Sequence, residues 1–434
     1  MQFRSTRSFD KTISFKDAIV RCLPPDGGLY IPADTIDMRQ FFLHMDTDTT
    51  FAELVTAITP ELFQNELNPM AAARAAESAF VFEPDLKILD KSHSVLNLYN
   101  GPTGYYKDFG CSFLASVMEE LLKDDERAMI VSTAMGDTGA SVAKAFQGRK
   151  RMTAVILFPH GAVCGLDPNT FVPNGGNILP IQIEGTQDDC QKLVQELIND
   201  RPFAERYNVT SSNSINVGRL LPQSLYYLYA FIKIKKEIHG DLVFSVPSAN
   251  FGHLIAGLYA WKFGMPVNGF IAAMNTNNAF GDFIRGKPFS PKPLVRTNTP
   301  SLDVANPTNY ERLAAFYEES PAVMKHMVFP CSVSDGITLK TIEKVWDKYG
   351  IMMDTHGAVG FAAAESFLAN DDSDSHVIIP VSRHPSKSAD LIHKVTGQKP
   401  EMPHYLQELT KEVHPVAVIP AQLDLLEAAI ASCC

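Results

Sequence analysis

The sequence predicts an α/β protein with mostly parallel sheets. The alternation of strand and helix patterns supports this class, and the composition and length indicate how many lobes the chain forms. From about residue 97 onward, short runs rich in β-forming residues alternate with longer segments of helical periodicity. That alternation is typical of βαβ units. Hydrophobic residues make up 45% of the 434-residue chain, and a chain of this length is expected to fold as two or three lobes.

Each predicted element follows from its local pattern. Before about residue 96, helical patterns such as PMAAARAAESAF (69–80) mix with turns such as PPDGG (24–28). Helical periodicity then covers 109–122, 186–199, 217–238 and 253–263. The predicted strands are AMIVST (128–133), TAVILF (153–158), ILPIQI (178–183), LVFSVPS (242–248), GFIAAMN (269–275) and VIIPVS (377–382).

Composition and charge exclude several classes of function. The formal net charge of −11 and the lack of a dense basic run argue against nucleic-acid binding. No segment reaches the roughly 18 uncharged apolar residues of a membrane span, and MQFRSTRSFDKTIS lacks the apolar core of a signal peptide. We therefore expect a cytoplasmic protein with a small-molecule partner.

Several common site motifs are absent. The seven cysteines form no CxxC pair, and the histidines show no metal-ligand spacing, so no metal is predicted. The sequence has no Walker loop, HExxH motif or GxSxG elbow. DFG at 108–110 stands without the other kinase motifs and is interpreted as a chance match.

Two loops that follow predicted strands are candidate anion sites. Gly136-Asp137-Thr138-Gly139 joins a strand to a helix, and so does the segment 248–252, Ser-Ala-Asn-Phe-Gly. The first-turn amides of such helices are available to hold an anion. The same small and polar residues are also what a strand-to-helix turn needs simply to bend.

Lys107 lies in NGPTGYYKDFG (100–110), between two tyrosines and a glycine-flanked turn. Two interpretations remain open from this stretch. One is a surface lysine whose stem packs on apolar neighbours. The other is a desolvated amine that forms a Schiff base with a carbonyl. A reactive amine together with two anion loops is the set that a pyridoxal-phosphate enzyme requires.

The chain resembles the threonine synthase family, in its long form, almost from end to end. The resemblance rests on the order and spacing of PPDGGLYIP (24–32), NGPTGYYKDFG (100–110), GDTGASVAKAF (136–146), NSINVGRLLPQ (213–223), SVPSANFG (245–252), LDVANPTNYERL (302–313), HGAVGF (356–361) and HPSK (384–387). It implies a fold-type-II pyridoxal-phosphate enzyme similar to the tryptophan synthase β subunit. The implied division is an N-terminal domain (1–96), a two-lobed catalytic domain (97–400) and a C-terminal helical segment (401–434).

The resemblance also implies roles for individual residues. Lys107 is the implied catalytic residue and holds pyridoxal 5'-phosphate covalently. The other implied cofactor-binding residues are Asp137, Ser248, Ala249, Asn250, Phe251, Gly252 and Ser382, with Ser382 facing the pyridine nitrogen. The implied substrate-binding residues are Gly136, Thr138, Asn213, Ser214 and Arg219, and Asn216 lies in the same segment.

The implied reaction is a β,γ-replacement that converts O-phospho-L-homoserine and water to L-threonine and phosphate. In it, the freed Lys107 amine acts as the base at Cα. The expected protein is a monomer or homodimer that acts on a small amino-acid substrate.

The chain departs from the family pattern mainly around the substrate. Alanine replaces the usual glycine at Ala249, where a Cβ is expected to crowd the loop or to forbid a positive φ. The pattern's hydroxyls are missing at Ala134 and Met135, and its cation is missing at Ala162. Further departures are Cys164, Met274 and Asn278.

Three hypotheses follow from the matches and the departures. The first is a threonine synthase. The second is a paralogous pyridoxal-phosphate lyase that acts on another γ-substituted amino acid, motivated by the changes at Ala134, Met135 and Ala162. The third is a non-catalytic relative, against which the intact Lys107 argues.

Overall fold

Two parallel sheets form the centre of the protein in a computed structural model, which describes residues 1–64, 66–134, 137–159, 176–285, 287–371, 373–407, 409 and 415–433. The first sheet has five strands, in the order β14-β8-β7-β6-β9, and all are parallel. Its strands are β6 (Ala128–Thr133), β7 (Met152–Pro159), β8 (Ile178–Glu184), β9 (Val209–Ser211) and β14 (Ala417–Pro420).

The second sheet has six strands, in the order β12-β11-β10-β13-β5-β4. Only β4, at one edge, runs antiparallel to its neighbour. Its central strands are buried on both faces, as expected for a parallel sheet covered by helices. The six strands are β4 (Asp85–Ile88), β5 (His93–Asn97), β10 (Leu242–Pro247), β11 (Gly269–Met274), β12 (Val328–Ser332) and β13 (His376–Val381).

A small antiparallel sheet opens the chain, in the order β2-β1-β3. Its strands are β1 (Gln2–Ser5), β2 (Ile13–Ser14) and β3 (Tyr30–Pro32). The helices that accompany it are α1 (Phe15–Arg21), α2 (Arg39–His44), α3 (Phe51–Phe63) and α4 (Pro69–Ala79). Thr50 caps α3 in a capping box with Glu53, and Asn68 caps α4 before the proline that opens it.

Helices cover the faces of the two parallel sheets. They are α5 (Lys107–Leu121), α6 (Thr138–Phe146), α7 (Gln187–Asn199), α8 (Arg201–Tyr207), α9 (Val217–Leu220), α10 (Ser224–Ile234), α11 (Gly252–Lys262), α12 (Ala279–Ile284), α13 (Tyr310–Glu319), α14 (Pro321–Met327), α15 (Asp335–Tyr349), α16 (Thr355–Leu368), α17 (Ala389–Thr396), α18 (His404–Gln407) and α19 (Leu423–Cys433). Within the described ranges, no helix has the length and apolar character needed to cross a bilayer.

Aromatic packing joins the N-terminal helices to α5. The Phe109 ring contacts the rings of Phe51 and Phe82 at centroid distances of 5.4 and 4.9 Å, and Phe51 also packs edge-on against Phe80. Such pairs are worth about 0.5–1.5 kcal/mol each beyond the area they bury. Aromatic residues of the N-terminal part of the chain therefore hold the start of α5, which carries Lys107.

The predicted fold class is confirmed, and each of the six predicted runs contains a strand. Three details differ from the prediction. The periodic segment 217–238 is divided into α9, a 3-10 turn at Leu221–Gln223 and α10, because Pro222 has no N–H to continue the α-helical ladder. Strand β4 and all but the last residue of β5 lie before residue 97, yet both strands belong to the six-stranded sheet. The segment 401–434, predicted to be helical, also contributes β14 to the five-stranded sheet.

Candidate active site

A cavity of about 380 Å³ lies between the two parallel sheets, where β6, β10 and β13 end. This is where open α/β sheets bind ligands. The predicted residues that line it are Lys107, Thr138, Asn213, Ser214, Arg219, Ala249, Asn250, Phe251, Gly252 and Ser382. Its charged lining is Lys107, Arg219, Arg296 and Arg383 against Asp188 and Asp303, so cations outnumber anions in a chain of net charge −11.

Lys107 is the first residue of α5, and its amine reaches into the cavity. Its Nζ donates to Oγ1 of Thr138 at 2.7 Å and lies 4.9 Å from the centre of the Tyr105 ring. Burial, together with the nearby charge of Arg219, lowers the pKa of the Lys107 ammonium to about 7. A large fraction of the amine is therefore neutral and nucleophilic near neutral pH.

The three residues after Lys107 fix the position of the first turn of α5, which carries this lysine. Asp108 accepts hydrogen bonds from the backbone N–H and the hydroxyl of Thr103, at 2.8 and 2.6 Å, which fixes the turn before α5. Phe109 enters the aromatic core. At Gly110, a Cβ would lie 2.3 Å from the backbone oxygen of Arg219, so glycine is needed for α5 and α9 to approach. DFG is thus a structural element here.

The segment 248–252 joins β10 to α11, and its last four residues line the cavity. Ser248 does not line it: its N–H donates to the Ala273 carbonyl and its hydroxyl to the Val246 carbonyl, each at 2.8 Å. Ala249 is not among the residues with positive φ in the described chain, so its Cβ causes no strain of that kind. Phe251 instead has φ of 57°, and its ring packs 4.0 Å from that of Phe280.

The segment 213–219 supplies the principal unpaired cation of the site. Arg219 is 2% exposed, and its Nε has no hydrogen-bond partner in the described structure. A buried guanidinium without an acceptor is costly unless an anion satisfies it. Asn216 does not serve the cavity, because its amide donates to Ile19, Thr210 and Ser211 and its oxygen caps Gly218.

Arg312 holds the segment 213–219 in place through its buried guanidinium. Its fully buried guanidinium donates to the backbone oxygens of Tyr30, Ser214 and Ile215 and to the Asn309 side chain, at 2.6 to 3.0 Å. The Ser214 hydroxyl in turn accepts hydrogen bonds from the side-chain amides of Asn250 and Asn309. One hydrogen-bond network therefore joins the N-terminal sheet, the segment 213–219 and the 248–252 loop.

We expect Arg312→Met to destabilise the protein by about 3–5 kcal/mol, because it leaves several buried backbone oxygens without a donor. The thermal or urea unfolding midpoint of the cofactor-free protein measures this. The control is Arg74→Met, which removes an exposed ion pair with Glu120 and should leave the midpoint in place. Equal midpoints for the two variants would contradict a structural role for Arg312.

Asp137 lies behind the cavity wall, between two cations. Its Oδ2 accepts from Nε of Arg383 at 3.0 Å, and its Oδ1 lies 2.8 Å from Nζ of Lys387. Burial alone would raise the pKa of Asp137, but the Lys387 and Arg383 charges lower it to about 2. Asp137 is therefore ionised, and it faces its cations and not the cavity.

Comparisons with known proteins identify the chain's relatives. The family profile described as Threonine synthase N terminus matches residues 2–80. Threonine synthase from Buchnera aphidicola is 31% identical over 423 residues, which cover 96% of this chain and 97% of the relative. The chain belongs to the threonine synthase family.

Solved structures agree with membership of the threonine synthase family. The crystal structure of threonine synthase from Escherichia coli is 28% identical, covers 100% of both chains and has a TM-score of 0.89. The structure of PLP-bound threonine synthase from Brucella melitensis gives 27% identity and a TM-score of 0.88, with 100% of this chain and 99% of that chain covered. Maize serine racemase shares the fold at 17% identity and a TM-score of 0.53, covering 72% of this chain and 91% of that chain.

The departures from the threonine synthase pattern fall in different places. Ala134 is buried beyond the end of β6 and does not line the cavity, and neither do Met274 and Asn278. Asn278 donates instead to the hydroxyl of Ser332. Four predicted positions lie outside the described residues: Met135, Gly136, Ala162 and Cys164.

Sequence reasoning missed three residues of this threonine synthase site. Arg383 lines the cavity, Lys387 pairs with Asp137, and Arg312 supports Ser214. Arg312 and Lys387 lie within motifs that carried the family resemblance, and Arg383 directly precedes HPSK. For Arg383, the available signal was a charge just after the apolar strand β13, whereas Arg312 lies within α13 and Lys387 within a 3-10 turn.

Proposed function

We propose that this chain is a threonine synthase, a pyridoxal-phosphate-dependent lyase that forms L-threonine and phosphate from O-phospho-L-homoserine and water. The observation that carries the proposal is a buried lysine with a pKa of about 7 that shares one cavity with an unpaired arginine. Such a pair suits a cofactor bearing an aldehyde and a substrate bearing a phosphate.

The residues present fit pyridoxal phosphate. Lys107 supplies the amine for covalent attachment. The amides of residues 249–252, at the start of α11, suit the cofactor phosphate, because helix-end amides and the helix dipole favour an anion. The Ser382 hydroxyl lines the cavity and suits the ring nitrogen. Ser248 and Asp137 support this arrangement from behind the cavity wall.

The bound cofactor supplies an electron sink for negative charge that develops beside the substrate's amine carbon. The chain supplies position and proton transfer. Lys107, released when substrate binds, takes the proton from Cα, and Thr138 accepts a hydrogen bond from its amine. Arg219, with Asn213 and Ser214 beside it, holds the phosphate that leaves from Cγ. A proton must also leave Cβ as the phosphate leaves, and Cγ must gain a proton to become the methyl group. Water then adds its hydroxyl at Cβ, and a proton returns to Cα, with the Lys107 amine as the proton carrier.

The deciding experiment measures phosphate release and threonine formation together, with the purified protein, pyridoxal phosphate and O-phospho-L-homoserine. Equal amounts of both products are expected. Phosphate without threonine would identify a lyase that eliminates but does not rehydrate. The absence of both products would refute the proposed function. Growth of a threonine auxotroph provides an independent check.

The pKa of Lys107 predicts the pH dependence of cofactor attachment. Only the neutral amine adds to the aldehyde, so a lowered pKa moves attachment to lower pH. We expect the rate at which apoprotein gains visible absorbance to rise between about pH 6 and 8 and then to level off, with its midpoint near 7. An ordinary lysine continues to rise toward about pH 10. A midpoint above about 9 would contradict the desolvated environment of Lys107.

The domain division at residues 96 and 400 remains a prediction, and so does a monomeric or homodimeric state. Gel filtration coupled to light scattering measures the latter.

A further inference from the structure

Asp137, Arg383 and Lys387 form a buried cluster in which two cations share one carboxylate. Their side chains are 1%, 4% and 9% exposed, respectively. The single carboxylate is shared between two cations, with one oxygen directed to each. Two further buried carboxylates act on these cations from outside the cluster, Asp354 on Arg383 and Asp108 on Lys387.

The unsatisfied part of the cluster is the outer edge of Arg383. Its Nε is bound to Asp137, while Nη1 and Nη2 donate to no acceptor in the part of the chain that the structure describes. Arg383 lines the cavity, and Asp137 and Lys387 do not. The outer N–H donors of Arg383 are therefore available to a ligand in the cavity.

Backbone contacts place Arg383 beside the segment that carries Lys107. Arg383 pairs with Tyr105 in an antiparallel bridge, and the Tyr106 N–H donates to the Ser382 oxygen at 2.9 Å. Arg219 reaches the cavity from α9, in the segment that also carries Asn213 and Ser214. Arg219 and Arg383, two of the three arginines that line the cavity in the described chain, thus reach it from different segments, and the charges of both act on Lys107.

We propose that Arg383 binds the α-carboxylate of the amino-acid substrate and determines the preference of this enzyme for amino acids over simple amines. The inference rests on the proposed function, in which Arg219 takes the phosphate. The carboxylate shares its carbon with the amine that replaces Lys107, so it must lie close to the lysine segment. A guanidinium edge held by a carboxylate at Nε presents two parallel donors, which suit a carboxylate.

The test compares two ligands that differ only in the carboxylate. They are L-2-amino-5-phosphonopentanoate and 4-aminobutylphosphonate, whose C–P bonds release no phosphate. Their dissociation constants are measured by calorimetry on cofactor-loaded protein. Wild type is expected to prefer the carboxylate-bearing ligand by about 10- to 150-fold. Arg383→Met should remove most of this preference while it changes binding of the simple amine less than about threefold.

Two further variants separate carboxylate binding from charge balance. Lys387→Met removes the other partner of Asp137 and should keep the preference. Arg383→Lys keeps the charge, loses the two-donor edge and should retain part of the preference. Equal weakening of both ligands by Arg383→Met, the same loss of preference in Lys387→Met, or a wild type without any preference would each overturn the inference.

These outcomes are distinct from failure of the proposed function. If no threonine forms from phosphohomoserine but the preference depends on Arg383, the carboxylate site stands and the reaction is another one. If threonine forms while Arg383→Met keeps the preference, the reaction stands and the role of Arg383 is refuted.

Discussion

Lys107→Ala is expected to give a colourless protein that folds normally and has lost at least about a thousandfold of its activity. The residue combines two functions that no neighbour provides. In the proposed function, its amine attaches the cofactor and, after release, takes the proton from Cα. Alanine removes both, and it also removes a costly buried amine, so stability should not fall.

The measurements for Lys107 are the visible spectrum, the mass after borohydride reduction and the turnover rate. Wild type should gain the mass of the reduced cofactor on the peptide that contains Lys107. Lys123→Ala, at an exposed lysine near the end of the same helical segment, is the control and should match wild type. Full activity in Lys107→Ala, or cofactor fixed to another lysine, would refute the assignment.

The parts of the fold that could be predicted from sequence are those with a strong local signal. Strands such as β6 and β13 are continuous apolar runs, because both faces of a parallel sheet are covered. The strands that were missed have little such signal. β9 has three residues, and β12 is an edge strand with a proline. β14 is recruited to its sheet by tertiary pairing with β8.

The same distinction holds in the site. The stretch around Lys107 could be singled out because Tyr105 and Tyr106 are its neighbours both in sequence and in space. Its buried environment could not be predicted locally, because Thr138 and Arg219 come near its amine only in the folded chain.

Arg312 and Arg383 could not be singled out, because the partners that define them lie 282 and 246 residues away in the chain. Asp137 shows an intermediate case. Its loop was predicted as part of the site, but the direction of its carboxylate depends on two cations that only the folded chain brings near.

The concern over Ala249 illustrates what backbone geometry adds. The sequence pattern predicts that a Cβ at this position either crowds the loop or forbids a positive φ. In the folded chain the left-handed residue is Phe251, two positions later, and packing against Phe280 supports it. The alanine is therefore compatible with the backbone conformation of the loop, and the expected crowding stays a prediction.

Arg219→Met is expected to lower kcat/KM for O-phospho-L-homoserine by about 100- to 10,000-fold, because charged hydrogen bonds contribute about 1.5–3 kcal/mol each and a guanidinium donates two to a phosphate. Arg219→Lys keeps the charge without the two-donor geometry and should lie between Met and wild type. Arg285→Met, at an exposed arginine, is the control and should match wild type. By comparison, Ala162→Lys should improve turnover far less than Arg219→Met impairs it.

A second measurement on the same variant separates binding of the phosphate from a general loss of structure. The charge of Arg219 helps to lower the pKa of Lys107, so its removal should raise that pKa. The midpoint for cofactor attachment should then move to higher pH, while the final visible absorbance at alkaline pH remains that of wild type. A variant with wild-type kcat/KM would refute phosphate binding by Arg219. Lost turnover without any shift in the midpoint would contradict the placement of Arg219 beside the Lys107 amine. In a buried site, a unit charge close enough to hold the substrate phosphate there also changes the pKa of the amine.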